Sequence, residues 1–581
     1  MIDQITEQAH SVVGNALNTL GYEVASVDLD VYPQATDAII ATPIAFQIAN
    51  QHGENPNEVS SELVENMDVS ETYFSDVSST GPYINFYAKD EWYSAVLESS
   101  TEADFGSNID AEPKNLSVEH TSVNPTGPLH VGRVRNSILG DCISNMLEFV
   151  GHSVSRDYYV NDAGLQVAML VWGYNNINEN SLPEPETDAD DSDLVRYYRE
   201  ASEILDKDTL KEVQKGESEN VENSNEYEVI QILLGLESGD DEIQSMVDDV
   251  VNKMLNSQLD SLENLGISFD NFTFESEYLD TTGLENLMDS LKESGDSFTE
   301  NGAWKIDLGD YDIDKDFVFE RSNETTLYGT RDILYHNEKI QEYDEGIVIL
   351  GEDQELQAKS VRAIVDMIGN DASCLPVVHH AFVQTTEGGM STRQGEGDFL
   401  YEVLERAENK AHEAIQNQDV ENEGSVVEDV TVGALRYNIV SKKRQQLTTF
   451  DVNRAVSVQS QTGPSVQYAY ARMNGIIQQA TGIEESADVK YLTEDSSYEL
   501  IEKLSEFPSV ISESVDEMDP HPLAVYTKEL KESFNEFYRD CPVTNAESPD
   551  IASARMAVVS ASYDVMETAL ELLGIPLIED M

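Results

Sequence analysis

The chain has 581 residues, 40% of them apolar, with 112 acidic side chains against 34 basic ones and a formal net charge of -78. A single core rarely grows past about 250–300 residues, so the length predicts three domains, or two at the fewest. Charge on this scale would oppose nucleic-acid binding and strain the fold in dilute buffer, but at about 1 M salt the screening length is about 3 Å, so the composition points to a salt-loaded cytoplasm.

Residues 1–110 predict a small α/β unit. Ile5, Ala9, Val12, Val13, Ala16, Leu17 and Leu20 recur at helical spacing, and residues 83–87 form a strand after the turn pair Gly81-Pro82. Residues 111–430 predict an α/β domain. Leu116, Val118 and His120 lie on a strand that runs into a Pro/Gly-rich turn, and Val134, Ile138, Cys142, Met146 and Val150 form one stripe of the helix behind it. Residues 175–305 are acid-rich and mostly helical in pattern, which predicts an insertion. Residues 347–350 are an apolar run between glycines, as a strand buried on both faces requires. A helix carrying Leu356, Ser360, Val361, Ile364 and Ile368 follows, and then a strand through Val377, Val378, Ala381, Phe382 and Val383. Strand, helix, strand predicts a Rossmann-type, doubly wound parallel sheet. Residues 431–581 read as an all-α bundle, with helices over 466–480 and 551–573.

No run of about 18 apolar residues is present, so no membrane span is predicted, and the first residues lack the basic start of a signal peptide. Cys142, Cys374 and Cys541 are odd in number and far apart, a pattern that fits neither a disulfide framework nor a zinc site.

The segment NPTGPLHVGR, residues 124–133, lies between the predicted strand and its helix. Pro125, Gly127 and Pro128 turn the chain, and the helix N-terminus behind them offers free N–H groups to an anion. His130 adds a donor, Gly132 leaves room for a base or sugar, and Arg133 adds a permanent cation. Further along, Gly388, Gly389, Met390, Ser391, Thr392 and Arg393 form a glycine-hinged loop with two hydroxyls and a cation, suited to closing on the outer phosphates of ATP.

Together these two motifs resemble the signatures of class I aminoacyl-tRNA synthetases, and the longer match is to the arginyl-tRNA synthetase family. VEHTSVNPTGPLHVGRVRNSILGD with RDYYVNDAGLQV resembles that family's first signature region, YGTRDILYH its arginine-site segment, MSTRQG its mobile loop, and VGALRYNIVSKKRQQLTTFDVNRAVSVQSQTGPSVQYAYAR the start of its anticodon-binding bundle. With its acidic surface the chain looks haloarchaeal-like. The resemblance implies an ATP-dependent arginine–tRNA ligase with ATP, Mg2+, L-arginine and tRNA(Arg) as partners. A monomer is the default, and the cytoplasm the expected location.

The resemblance implies site residues as well. Pro125, Gly127, His130, Gly132, Arg133, Met390, Ser391 and Thr392 would bind ATP, with His130, Arg133, Ser391 and Arg393 stabilising the reacting phosphates. Glu119 and Asn124 would meet the amino group and backbone of arginine; Tyr328, Asp332 and Gln354 would hold its guanidinium. Lys442, Lys443, Arg444, Gln467, Tyr468 and Arg472 would face the tRNA, where an aromatic ring can stack on an unpaired base. One of Tyr468 and Tyr470 is expected in the core. Two positions depart from the family pattern: Arg133 stands where a second histidine is usual, and Gly389 where a lysine is usual. These departures leave two other readings, a class I synthetase for another amino acid and a catalytically idle tRNA-binding paralogue.

Overall fold

The computed structural model describes residues 1–33, 36, 38–107, 112–214, 224–279, 281–322, 328–385, 398–415, 423–459 and 461–581. At the N-terminus the helix Ile2–Leu20 packs Ile5, Ala9, Val12, Val13, Ala16 and Leu17 inward, the stripe that the spacing predicts. Four antiparallel strands follow, in the spatial order Asp30–Val31, Ile40–Thr42, Tyr83–Ala88, Phe74–Thr80. This unit leans on the C-terminal helices, where the Tyr32 hydroxyl donates to the Glu502 carbonyl at 3.0 Å and the Tyr93 hydroxyl to the Glu502 carboxylate at 2.9 Å.

The central sheet has five strands, all parallel. Its spatial order is Val377–His380, Glu345–Gly351, Asn115–Glu119, Ser153–Val160, Asn271–Phe274. The chain lays down Asn115–Glu119 first, builds two strands outward on one side, and then returns to build two on the other. Such a reversal opens a crevice beyond the carboxyl ends of the strands, between the first strand and Glu345–Gly351, where ligands bind in doubly wound sheets. Leu116, Ser117, Val118 and Glu119 are all buried, as a central parallel strand with both faces covered must be. The helix Val131–Phe149 then buries Val134, Ile138, Cys142 and Met146, with the Cys142 thiol donating to the Leu573 carbonyl at 3.3 Å on the side of the C-terminal helices.

Two elements differ from the sequence reading. The strand expected from Val377 to Val383 divides. Val377–His380 stays in the central sheet, while Val383–Thr385 leaves it to pair in parallel with Thr448–Phe450. The break falls at Ala381, whose backbone groups are satisfied elsewhere: Arg135 donates to its carbonyl at 3.0 Å and its N–H donates to the Arg444 carbonyl at 2.8 Å. The region 175–305 is not wholly inserted helix. It contains the helices Asp190–Ile204, Lys207–Gln214, Asn225–Glu237 and Asp241–Glu263, but also Asn271–Phe274, the edge strand of the central sheet, and the hairpin Ser297–Glu300 with Ala303–Ile306. Strands of four residues are too short for a period of two to declare itself.

The C-terminal part is helical, with Gly463–Gln479, Asp495–Ser505, Phe507–Asp516, His521–Asp540 and Pro549–Leu572 as its main members. Thr462 and Ser465 form a reciprocal capping box at the first of these, which fixes where that helix begins. The three cysteines are free. Among the described residues no helix is long and apolar enough to cross a membrane.

Candidate active site

The turn of residues 124–129 leaves the first strand through two residues in the left-handed region, Thr121 (φ 77°) and Ser122 (φ 41°). Neither is glycine, so the conformation is strained and must be held from outside. Asn136 supplies that hold: its side-chain oxygen accepts from the Thr121 N–H at 2.6 Å while its amide donates to the Ile349 carbonyl at 2.7 Å. One side chain thus joins the two strands that flank the crevice. His120 packs on Gly140, where any Cβ would collide with the imidazole, and burial lowers its pKa to about 4.

His130 is the N-cap of Val131–Phe149, and its Nδ1 accepts from the Gly132 N–H at 3.1 Å. Burial lowers its pKa, with Asp398 opposing and Arg133 assisting. The neutral ring with Nδ1 accepting carries its proton on Nε2, which is buried and has no partner among the described residues. Gly132 serves a different end from the one expected: a Cβ there would lie 3.1 Å from His130 Nδ1 and 3.3 Å from the Val383 carbonyl, so the missing side chain makes room for protein. Arg133 is exposed in the first helical turn, Pro125 is buried, and Gly127 faces Val195, with 3.1 Å left for a Cβ. Gly388, Gly389, Met390, Ser391, Thr392 and Arg393 lie outside the described residues.

A second group of polar residues converges from the ends of the first three strands and from the helix Tyr328–Glu342. Asp332 and Gln357 are 3.4 Å apart, Oδ2 to Nε2. Burial, together with Glu275 and Glu119, pushes the Asp332 carboxyl up to about 8. Arg331 binds Glu275, at 2.7 Å through Nε and 2.5 Å through Nη2. The other Glu275 oxygen and the Tyr159 hydroxyl are buried without hydrogen-bond partners among the described residues. Glu119, expected to face the amino group of arginine, is held by Lys339 at 2.7 Å, with Asp157 at 3.7 Å from the same ammonium. Burial pushes the Glu119 carboxyl up, but Lys339 and His336 more than offset this and leave it below the usual carboxylate range. Asn124 is exposed and donates to Gln166 at 2.9 Å. Gln354 ends the short turn Glu352–Gln354, and the glutamine that touches Asp332 is Gln357, three residues on. Tyr328 begins its helix, and its side chain lies outside the described residues.

Sequence reasoning missed Glu275, Tyr159, Tyr335, Lys339 and Gln357. Tyr335 and Lys339 follow Asp332 at helical spacing on the same helix, Tyr335 inside the arginine-site motif and Lys339 three residues past its end, so the pattern held a signal for both. Glu275 had none, because it only gains meaning once Asn271–Phe274 is known to be a sheet strand.

Comparison with known proteins settles the family. A family model described as tRNA synthetases class I (R), catalytic domain, matches residues 97–452. Models for the arginyl tRNA synthetase N terminal domain and the DALR anticodon binding domain match 7–88 and 466–581. The chain is 37% identical to the arginine–tRNA ligase of Haloarcula marismortui, with 99% of each chain covered, and 34% identical to that of Methanocella arvoryzae, with 100% of each covered. The chain belongs to the arginyl-tRNA synthetases. The fold of the synthetase is also that of the Thermus thermophilus enzyme (TM-score 0.77, 23% identity, 99% of this chain and 100% of that one). The Plasmodium falciparum enzyme gives a TM-score of 0.75 at 18% identity, with 100% of this chain and 99% of that one covered.

On the bundle of the synthetase, Arg472 lies between two aromatic rings, 4.7 Å from the centre of Tyr468 and 4.8 Å from that of Tyr538, and donates to Asn535 at 2.9 Å. Tyr538 is an exposed aromatic that the sequence reading did not single out. Tyr470 is core: its hydroxyl bonds Tyr563 and Glu567 at 2.5 and 2.8 Å. Gln467 does not reach the surface; it is fully buried and its amide donates to the carbonyls of Asp429 and Pro576 at 3.0 and 2.9 Å. Arg444 is likewise a brace, donating to the carbonyls of Glu517 and, at 3.0 Å, Met518. Lys442 and Lys443 are exposed and make no ion pair among the described residues.

Proposed function

We propose that the crevice at the strand reversal is where this arginine–tRNA ligase carries out both steps of its reaction. The arginine carboxylate attacks the α-phosphorus of ATP, forming arginyl-adenylate as pyrophosphate leaves. A ribose hydroxyl of the 3′-terminal adenosine of tRNA(Arg), the 2′-hydroxyl in the class I pattern, then attacks the adenylate carbonyl and AMP departs. Both reactants of the first step are anionic, so positioning and charge stabilisation govern it and no protein nucleophile is required. His130 donates from Nε2 to a phosphate oxygen, beside the helix N-terminus. Arg133 and Arg393 supply the cations that the family's second histidine and loop lysine would otherwise provide, and Ser391 and Thr392 donate from the loop. Magnesium would come with ATP on its phosphate oxygens and would neutralise part of their charge, while His130, Arg133 and the loop residues meet the rest.

The observation that carries the arginine assignment is the pocket of Asp332 and Glu275, two carboxylates at strand and helix ends beside unpartnered buried groups. A guanidinium supplies both the charge and the fork of donors such a pocket needs. Tyr328 begins the helix one turn before Asp332 and would meet the guanidinium, and Glu119 and Asn124 would meet the amino-group end. On the bundle, Tyr468, Arg472 and Tyr538 offer a stacking column for an unpaired tRNA base, with Lys442 and Lys443 toward the phosphates. In high salt such stacking carries more of the affinity than charge does. Residues 1–110, 111–430 and 431–581 divide as tRNA-contacting, catalytic and anticodon-binding domains of a monomer in the cytoplasm.

Charging assays at high KCl with each amino acid in turn test the reading. Arginine alone is expected to be joined to tRNA; charging with a different amino acid, or none, overturns it. Arg133→Ala and Arg393→Ala, made separately, are each expected to slow tRNA-supported ATP–pyrophosphate exchange by about 10²-fold, the usual cost of one phosphate-stabilising group. Near-normal exchange in both removes the compensation idea.

A further inference from the structure

The helices between the second and third strands grip the ATP-signature turn at three points. Gln258, on Asp241–Glu263, is fully buried, and its single amide nitrogen donates to two carbonyls of that turn, Gly127 at 2.7 Å and Asn124 at 3.2 Å. Val195, on Asp190–Ile204, fills the space that Gly127 leaves open. Gln166, on Leu165–Asn176, accepts from the Asn124 side chain at 2.9 Å. The same helices also hold the segment 398–401, which follows the second signature loop in sequence. The Arg199 guanidinium lies 5.3 Å from the Phe399 ring centre, Phe399 stacks on Tyr401, and the Tyr401 hydroxyl and Arg199 share Glu186. That segment is itself tied to the turn: the Leu400 N–H donates to the Leu129 carbonyl at 2.7 Å, and the Val131 N–H to the Asp398 carbonyl at 3.3 Å.

We infer that the acidic helical insertion is a frame that holds the turn of residues 124–129 against the segment 398–401, and that Gln258 is a positioning residue for the ATP site. The inference rests on the reading of residues 124–133 as that site. A buried glutamine whose Oε1 has no partner among the described residues is an expensive way to fill a core. Its geometry explains it: the two N–H donors of one amide, given to two carbonyls, fix the spacing of the turn, and displacement of a reacting group by about 1 Å can cost 10²-fold in rate. An apolar residue of the same volume would fill the space but take a donor from both carbonyls.

Gln258→Leu and Gln258→Glu test this. Both keep the bulk; the first removes the donor and the second sets a carboxylate against the two carbonyls. KM for ATP, arginine and tRNA and kcat are measured by tRNA-supported ATP–pyrophosphate exchange at high KCl, with the thermal midpoint read alongside and His130→Ala as comparator. Both variants are expected to raise KM for ATP about tenfold or more and to lower kcat, while KM for arginine and tRNA stays within about twofold and the thermal midpoint within a few degrees. An unchanged KM for ATP in both, a parallel shift of all three KM values, or loss of the fold in both assigns Gln258 to general stability and overturns the inference. Normal exchange in His130→Ala would remove the ATP reading itself. An inactive His130→Ala beside unaffected Gln258 variants removes only the frame.

Discussion

Asp332→Asn is expected to lower kcat/KM for arginine by about a thousandfold, while KM for ATP stays near its original value. The substitution keeps the size and the hydrogen-bonding shape and takes away only the charge. A substrate guanidinium would then enter a pocket whose nearest carboxylate, on Glu275, is already occupied on one oxygen by Arg331. Leaving one member of a desolvated, hydrogen-bonded charge pair alone costs about 2–5 kcal/mol or more, and the predicted loss lies within that range. The wild-type enzyme should carry a pH signature of the same group. Burial, with Glu275 and Glu119 beside it, pushes the Asp332 carboxyl up to about 8 before arginine binds, even with Arg331 nearby. Binding a guanidinium favours the ionised form, so below about 8 arginine must displace a proton. KM for arginine should therefore fall as pH rises toward 8, by up to tenfold per unit, and level off above it; Asp332→Asn should be flat across the same range. Stability moves the other way. The folded chain holds this proton more tightly than the unfolded one, so this group's contribution to stability declines as pH rises from the usual carboxylate range to about 8. Steady-state KM values for arginine in both proteins, between about pH 6 and about 9, decide the matter, and a wild-type KM that ignores pH would refute it.

The signatures were legible in the sequence because the chemistry is local: a turn, a helix start and their donors lie within ten residues. Part of the central sheet was legible for a related reason: Glu345–Gly351, buried on both faces, reads as an apolar run, whereas Ser153–Val160 and Asn271–Phe274 are partly exposed and do not. What failed to show were residues whose meaning depends on distant partners. Glu119 looked free until Lys339 was placed beside it, and Gln467 looked like a surface residue until the carbonyls of Asp429 and Pro576 closed over it. The basic residues are the clearest case. In a chain with so few of them, the cluster Lys442, Lys443 and Arg444 was expected on an RNA-facing surface, and buried arginines were not foreseen. Instead Arg135, Arg436 and Arg555 are fully buried and donate to carbonyls: Arg135 to Ala381, Gln446 and Lys443, and Arg555 to Pro542. Arg444 behaves in the same way. A guanidinium offers five donors in a fixed plane, and segment ends, where backbone carbonyls lack partners, can use all of them. Composition counts such arginines but does not locate them.

Arg436→Leu is expected to destabilise the fold by about 3–5 kcal/mol, more than any other single change to a charged residue considered above. The guanidinium is fully buried where four elements meet. It comes from the helix Glu423–Val440 and pairs with Asp141 of Val131–Phe149, behind the ATP-signature turn. It also donates to the Leu573 carbonyl at 3.0 Å, just past Pro549–Leu572, and to the Leu265 carbonyl at 2.8 Å, just past Asp241–Glu263. Gly574 has φ 61°, and a Cβ there would collide with the guanidinium, so the C-terminal helix must end on a residue that tolerates this turn and leaves the space. Removing Arg436 strands the Asp141 carboxylate inside and takes a donor from each of the Leu573 and Leu265 carbonyls, whereas replacing Asp141 and Arg436 together by leucine removes the charge that has no partner. The double variant should therefore lose less than the sum of Asp141→Leu and Arg436→Leu, by at least about 1 kcal/mol. Salt separates this pair from the rest of the molecule. Added KCl screens the acidic surface and should stabilise every variant, but a pair buried this deeply lies beyond its reach, so the gap between wild type and Arg436→Leu should stay constant as KCl rises. Denaturant unfolding at several KCl concentrations measures that gap directly. A gap below about 1 kcal/mol, or one that closes with salt, would show that Arg436 acts through the surface field and not as the junction of the catalytic and helical domains.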